Sequence, residues 1–294
     1  MLRFFRQGAG RSAAPRPLCA VGLLGCLWVT TGACVAPSRG TEPGPAAAVV
    51  TSNRQPPGGA ARAAALPAAV AELKAIGYLV QPIVDVEVLN TTKRVARPAD
   101  AAVEGQKPNF DVVANGTFYG GRDPVGPIVR DGVLDTGGYA ICFERGGIAR
   151  LRDGSIIIGR TGGGTLEQVA AAFGATADNP VEEAMGGGAL LVEGGRMVSD
   201  EDLRDRQNFK QGAGGIRAAQ MRKTTHSVVG MRAGMAFHLW VTAKSGAELQ
   251  SELHAAGFDA VVMFDGGGAG FYDDGTTRST ARDPALTGLG ITTR

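Results

Sequence analysis

From Tyr78 onward, apolar and polar positions alternate mostly with a period near two, the signature of strands with one buried face. YLVQPIVDVEVL from Tyr78 and DVVAN at 111–115 are strand material. Four hairpin signals follow: IVRDGVL, ICFERGGIARL, IARLRDGSIII and ALLVEGGRMV, each with a Gly-containing turn between apolar alternations. The period lengthens to that of a helix in three places. Residues 67–76 place Val70, Leu73 and Ile76 on one face, with Pro67 suited to the first helical position and Gly77 to the end. Thr165 to Gln168 and Ser245 to Glu248 are capping boxes that open LEQVAAAF and AELQSELHAA, which Gly174 and Gly257 close. The last helix lies between the strand-like AFHLWVTA and DAVVMF, which makes a βαβ unit with parallel strands. Residues 199–223 carry charge and glycine without a clean period, the pattern of a lid. The expected fold class is α+β: one domain with a mixed, largely antiparallel sheet, several hairpins and a C-terminal βαβ unit.

Composition adds the compartment. Glycine supplies 45 of 294 residues, roughly twice the usual ~7%, without the triplet period of collagen. Residues 1–34 carry Arg3, Arg6, Arg11 and Arg16 and no acid, then an apolar stretch from about Leu18 to Val29, which is the pattern of an export signal. Without them the chain holds 26 basic and 28 acidic residues, so its basic balance belongs to the leader and nucleic acid is not an expected partner. Cys26 and Cys34 each end a lipobox-like tetrapeptide, LLGC and TGAC; lipidation at one of them competes with simple cleavage near Ala33 or Ala36 and with an uncleaved anchor, for which the stretch falls short of the ~20 residues of a span. Residues 35–66 are rich in Ala, Pro, Gly and Ser and form a flexible tether, leaving 67–294 as the folded domain. The expected location is the bacterial cell envelope, periplasm or outer membrane, with a lipid tether to the membrane. After the leader only Cys142 remains, so the domain holds no intramolecular disulfide.

Candidate chemistry gathers at strand ends. Ala260 to Phe264 delivers Asp265 at a strand terminus ahead of Gly266, Gly267 and Gly268. A strand fixes such a carboxylate while the loop leaves it accessible, and backbone N–H groups of the glycines can approach an anion. The same letters also fit a tight turn capped by its Asp. In VVANGTFYGG, Asn115 offers both a donor and an acceptor to a sugar hydroxyl, and Phe118 and Tyr119 offer stacking faces. Glu182 and Glu183 precede another glycine run, so either can face a pocket or water. Alternation puts Thr224, His226 and Val228 on one strand face, where His226 can bind phosphate or act as acid and base. His238, beside Ala236 and Trp240, and His254 read as structural. No nucleotide, zinc or hydrolase-elbow motif occurs, and no cofactor is expected. Asp273 and Asp274 are candidate ligands for a structural Ca²⁺, although adjacent acids in a turn are ordinarily solvated.

Taken together, NGTFY, PVG, GGALLVEGG, HSVVG, SGAELQSELHAAGFDAVVMF and DGGGAG resemble, in order and spacing from about residue 110 to 291, the phosphodiester glycosidase family. The resemblance implies an exported hydrolase that cleaves sugar-1-phosphodiester bonds in an envelope or extracellular glycan. It implies Asp265 and His226 as catalytic residues with Glu183 as a second carboxylate. Asn115, Phe118, Tyr119, Gly126 of the PVG motif, Arg222 and Gly266 to Gly268 are then substrate-binding residues. Two departures stand out. His226 occupies the place where the family carries an arginine, so phosphate binding passes to His226, to Arg222, or is lost. Ala269 replaces the serine after DGGG. The departures motivate an alternative, a glycan-binding envelope lipoprotein that has kept the pocket without the reaction.

Overall fold

The computed structural model describes residues 59–90, 109–120, 123–136, 144–207, 222–267, 270–279 and 287–293. The leader with Cys26 and Cys34, and likewise Cys142, Gly268, Ala269 and the 208–221 part of the expected lid, lie outside them. No helix among the described residues is long and apolar enough to cross a membrane.

Helix α1 (Gly59–Ala75) leads into β1 (Leu79–Ile83) and β2 (Asp85–Asn90). It begins eight residues before Pro67, which therefore sits inside the helix rather than at its first position. Alanine is the strongest helix former, and the run Ala60 to Ala65 extends the helix into the segment expected as tether. Strand β3 (Val112–Asn115) precedes the short pair β4 (Tyr119–Gly120) and β5 (Asp123–Pro124), then the hairpin β6 (Ile128–Arg130) and β7 (Val133–Thr136). The hairpin turns on Asp131 and Gly132, at φ 51° and 75°. Two left-handed residues in succession give the turn whose twist matches the strands. Next come β8 (Gly146–Leu151), β9 (Ile156–Arg160) and α2 (Leu166–Ala172), then the long β10 (Val181–Glu193) and β11 (Arg196–Met197). Gly146 and Gly147, expected at a turn, lie within β8, because a side chain at Gly146 would press on Val262 and Leu190. The chain continues through a π-helical turn at Asp202–Arg206 to β12 (Thr224–Arg232), β13 (Met235–Lys244), α3 (Gly246–Ala255) and β14 (Ala260–Gly266). It ends with β15 (Tyr272–Asp273), β16 (Arg278–Ser279) and β17 (Thr287–Thr292). Both expected capping boxes are formed, at Thr165 with Gln168 and at Ser245 with Glu248.

The fold is α+β, and every strand pairing among the described residues is antiparallel. A large sheet runs β1-β13-β12-β14-β10-β6-β7, and a small one runs β16-β15-β3-β17-β2. Strands β13 and β14 point the same way, as a βαβ unit requires, but β12 is inserted between them and pairs with both.

Alternation on β13 assigns its two faces. Phe237 meets Phe258, which follows α3, in an edge-to-face contact at 6.0 Å. On the opposite face, His238 and Trp240 stack on Tyr272 of the small sheet at 5.7 and 5.4 Å. The Ser227 hydroxyl ties this layer together. It donates to the Asn115 carbonyl at 3.1 Å and lies 3.0 Å from His238 Nε2, which must therefore donate to it. Burial holds His238 neutral, its pKa pulled down to about 3.

That depression has a sign. The unfolded chain binds a proton near pH 6.5 that the folded chain refuses, so stability is complete above pH 6.5 and declines as pH falls toward 3. At pH 5 the loss attributable to His238 is about 2 kcal/mol. Thermal unfolding between pH 7 and pH 5 should therefore show a steep loss in the wild type. His238→Gln, which keeps a donor for Ser227, should flatten it. An unchanged pH slope in that variant would move the acid sensitivity elsewhere.

Candidate functional site

The two sheets meet at the ends of β3, β12 and β14, and there Asn115, His226, Asp265 and Gly266 come together. The Asp265 N–H donates to the Gly116 carbonyl at 3.0 Å, and the Asp265 carbonyl accepts from Asn115 Nδ2 at 2.5 Å. Its Oδ1 accepts the Gly266 N–H at 2.8 Å. The side chain is half-buried at the rim of an otherwise buried strand. Asp265 is thus held at both backbone ends while its carboxylate stays within reach of solvent.

Gly266 lets this happen. It pairs with His226 across β12, and a β-carbon there would overlap the Thr225 carbonyl. Gly267 takes φ 61°, turning the chain into the left-handed region where glycine carries no steric cost. The register of β12 shifts between Thr224 and His226 against β13, and between His226 and Val228 against β14. Such bulges re-aim side chains next to active sites. Ala243, at φ 59°, lies in the β13 stretch facing the first of them.

His226 itself is buried, at 1% exposure. Its Nε2 lies 2.9 Å from the Lys244 carbonyl. A carbonyl only accepts, so Nε2 carries a hydrogen, and in the neutral ring Nδ1 carries the lone pair. Burial pushes the pKa of this histidine down, with the Lys244 carbonyl opposing it. Nδ1 has no hydrogen-bond partner among the described residues.

Several expected binding residues are engaged by the protein instead. Asn115 directs its amide to the Asp265 carbonyl and accepts the Phe271 N–H, so it clamps β14 and the loop behind it. Phe118 is buried in the main apolar cluster and offers no stacking face. The side chain of Tyr119 lies outside the described residues. Gly126 packs backbone to backbone on Gly186 and Gly187, where a β-carbon would overlap both. Arg222 is exposed just ahead of β12.

Glu183 is placed away from Asp265. Its oxygens accept the Val88 N–H at 2.9 Å and the Asp131 N–H at 3.0 Å, and Arg150 lies 3.8 Å away. It thereby closes the outer edge of β2, two strands from β3 in the small sheet. There it lines a cavity with Glu87, Asn109, Arg130 and Asp131 that Asp265 does not line. Burial raises its pKa despite the two N–H donors. Glu183→Gln sets an amide NH₂ against one of those N–H groups. It should lower the melting temperature by several degrees while leaving turnover per folded molecule unchanged; a fall in kcat at full folding would return Glu183 to the site. Asp273 and Asp274 are likewise committed to their own turn, accepting the N–H groups of Gly275, Thr276 and Thr277.

Sequence inspection missed four contributors. Thr287, at the start of β17, accepts the Thr117 N–H on its hydroxyl at 3.1 Å and the Gly116 N–H on its carbonyl at 3.0 Å, latching the loop that holds Asp265. Gly187, at φ 95°, lets Thr117 and Gly126 close onto β10. Arg145 is buried and donates to the Gly187 carbonyl at 3.3 Å and the Gln207 carbonyl at 3.0 Å. Desolvation pulls its pKa to about 10. Thr117 is fully buried, and its hydroxyl has no partner among the described residues. The letters NGT carried a signal for Thr117 only as a glycosylation sequon.

No family model matches the chain, and no curated protein matches it. Among solved structures, it is similar to the catalytic domain of zebrafish N-acetylglucosamine-1-phosphodiester α-N-acetylglucosaminidase, auto-inhibited by its pro-peptide. That match has a TM-score of 0.55 at 17% identity, covering 74% of this chain and 82% of the other. A hypothetical protein from Synechocystis matches with a TM-score of 0.44 at 13% identity, over 74% of this chain and 57% of the other. At 17% identity the zebrafish likeness is one of fold.

Proposed function

We propose that this protein is an exported hydrolase acting on a sugar-1-phosphodiester of an envelope or extracellular glycan, with Asp265 as its catalytic carboxylate. The observation that carries the proposal is the setting of Asp265. It stands at the end of a buried central strand, fixed by Gly116 and Asn115, with its side chain at the rim and a glycine turn directly after it. The Asn115 and His226 motifs lie beside Asp265, and the fold resembles that of a phosphodiester glycosidase catalytic domain.

In the proposed reaction the bond between the anomeric carbon and the phosphate oxygen breaks, and its electron pair leaves with the oxygen. A phosphate monoester, whose second pKa is about 6, needs little protonation to depart. Asp265 faces the positive charge that develops on the sugar and takes the proton of the water that adds to the anomeric carbon. Glu183 has no part in this scheme. The products are free sugar and a phosphate monoester. Export and lipid anchoring belong to the same proposal and rest on the leader alone.

The test is release of free sugar by the full chain from methyl phosphodiesters of glucose, N-acetylglucosamine, mannose and galactose 1-phosphate. Turnover of at least one supports the reaction class. Silence across the panel, from protein that unfolds cooperatively, would withdraw it.

A further inference from the structure

The outer edge of the small sheet and the β6–β7 hairpin enclose a cavity of about 300 Å³ that Asp265 does not line and the proposed reaction does not use. Glu87 of β2, Asn109 and Phe110 ahead of β3, Arg130 and Asp131 of the hairpin, and Glu183 of β10 line it. Glu183, itself buried at 4% exposure, fixes its shape. One of its oxygens accepts the Val88 N–H of β2 at 2.9 Å, and the other accepts the Asp131 N–H of the hairpin at 3.0 Å. The two walls are therefore held at a set separation, and each oxygen keeps a second lone pair. Phe110 is fixed as well. A β-carbon at Gly290 would lie 2.7 Å from three of its ring carbons, so the β17 backbone covers one face of the ring. The ring packs on the cluster of Leu89, Val113 and Phe271 but is only half-buried, and its remaining surface lines the cavity. Glu87, Asn109 and Asp131 are exposed, and their side chains make no hydrogen bond or ion pair with another described residue. Arg130 is instead held by Asp135 at 3.0 Å.

We infer that this cavity is a carbohydrate subsite separate from the Asp265 centre, and that it takes one uncharged, hydroxyl-bearing sugar unit. Its lining supplies what such a unit requires. The open surface of Phe110 gives the apolar face of a sugar ring a place to pack. Glu87, Asp131 and the spare lone pairs of Glu183 accept from hydroxyl groups, and the Asn109 amide can both donate and accept. A hydroxyl-rich ring presents donors and acceptors around its whole rim, which a wall of this composition can match. Phosphate is the wrong ligand here: it carries negative charge toward three carboxylates, and the guanidinium that could receive it is held by Asp135. A metal ion is no better suited, because no group of the described residues is placed to hold one. The volume lies at the lower end of the ~300–1,000 Å³ of small-molecule pockets, which suits a single sugar unit. The inference rests on the proposed function only in the choice of a sugar as the hydroxyl-bearing ligand.

The experiment uses the full chain as wild type, Glu87→Gln and Asn109→Ala. Binding of methyl glycosides of glucose, N-acetylglucosamine, mannose and galactose is measured by calorimetry, with inorganic phosphate and ethanolammonium as contrasting probes. Both substituted side chains are exposed, so the melting temperature should stay that of the wild type. The Kd for the preferred glycoside should nonetheless rise by about tenfold in each variant. In wild type, the ring proton resonances of Phe110 should shift on glycoside addition, which places the ligand in this cavity without any substitution. Absence of glycoside binding in wild type, unchanged affinity in both variants, or static Phe110 resonances would each overturn the inference. Phosphate or ethanolammonium that binds more tightly than every glycoside, and loses affinity in Glu87→Gln, would overturn the choice of an uncharged sugar. The phosphodiester panel separates this subsite from the proposed reaction. Turnover should be the same in both variants as in wild type, and a fall in kcat at unchanged melting temperature would merge the cavity with the Asp265 centre. Glycoside binding at the cavity without turnover sinks the reaction and leaves the subsite standing, whereas turnover without binding there sinks the subsite alone.

Discussion

Asp265→Asn should abolish most turnover, by about 10³-fold in kcat, while leaving the protein folded. The amide keeps the contacts that fix the backbone and the cap on the Gly266 N–H. The backbone bonds to Gly116 and Asn115 do not involve the side chain, and an Asn Oδ1 still accepts the Gly266 N–H. What disappears is the negative charge and the ability to take a proton. The melting temperature should accordingly move by no more than a few degrees, the equivalent of about 1 kcal/mol. A loss confined to kcat at unchanged fold assigns Asp265 to the chemistry. Near-normal kcat in the variant would leave Asp265 as the cap of its turn and nothing more.

Gly187→Ala should be the most damaging small substitution for stability. The position is at φ 95°, where an L-residue is strained by about 1–2 kcal/mol. The added methyl would also overlap the Thr117 hydroxyl and the Gly126 backbone. Overpacking of this sort costs a further ~1–3 kcal/mol, and the Gly126 backbone has no rotamer with which to yield. The sum, about 2–5 kcal/mol, approaches the whole stability of a marginal domain. Gly194→Ala is the contrast: it is also left-handed, at φ 57°, but its β-carbon meets nothing within 4 Å. It should lose only the conformational part. Chemical denaturation of the two variants side by side checks the claim, and equal losses would show that the close approach of β10 to the 116–126 loop is not what the glycine serves.

The sequence foretold most of the elements because their signals are local. Capping boxes at Thr165 and Ser245, left-handed turn residues at Asp131 and Gly132, and the alternation of β13 are all decided within a few residues. Tertiary packing overrode the local signal at Gly146 and Gly147, where glycine serves a close approach within a strand rather than a turn. At Pro67, alanine propensity carried the helix past a residue that ordinarily starts one. The candidate site was legible in part. Asp265 and Gly266 follow a buried strand, and that arrangement is readable from the letters. Which polar side chains remain available to a ligand was not readable, because it depends on contacts between segments far apart in the chain. Asn115 and Glu183 have the right chemistry but are engaged by Asp265, Val88 and Asp131. The Thr117 hydroxyl packs on Gly187, which has no side chain to pair with it.

Hydrolysis of the best phosphodiester substrate in ¹⁸O-labelled water tests the central claim most directly. If the protein is a glycosidase, water adds to the anomeric carbon, and mass spectrometry will find the phosphate monoester free of ¹⁸O. Label in the phosphate would mean that water attacked phosphorus, and the site around Asp265 would then be that of a phosphodiesterase.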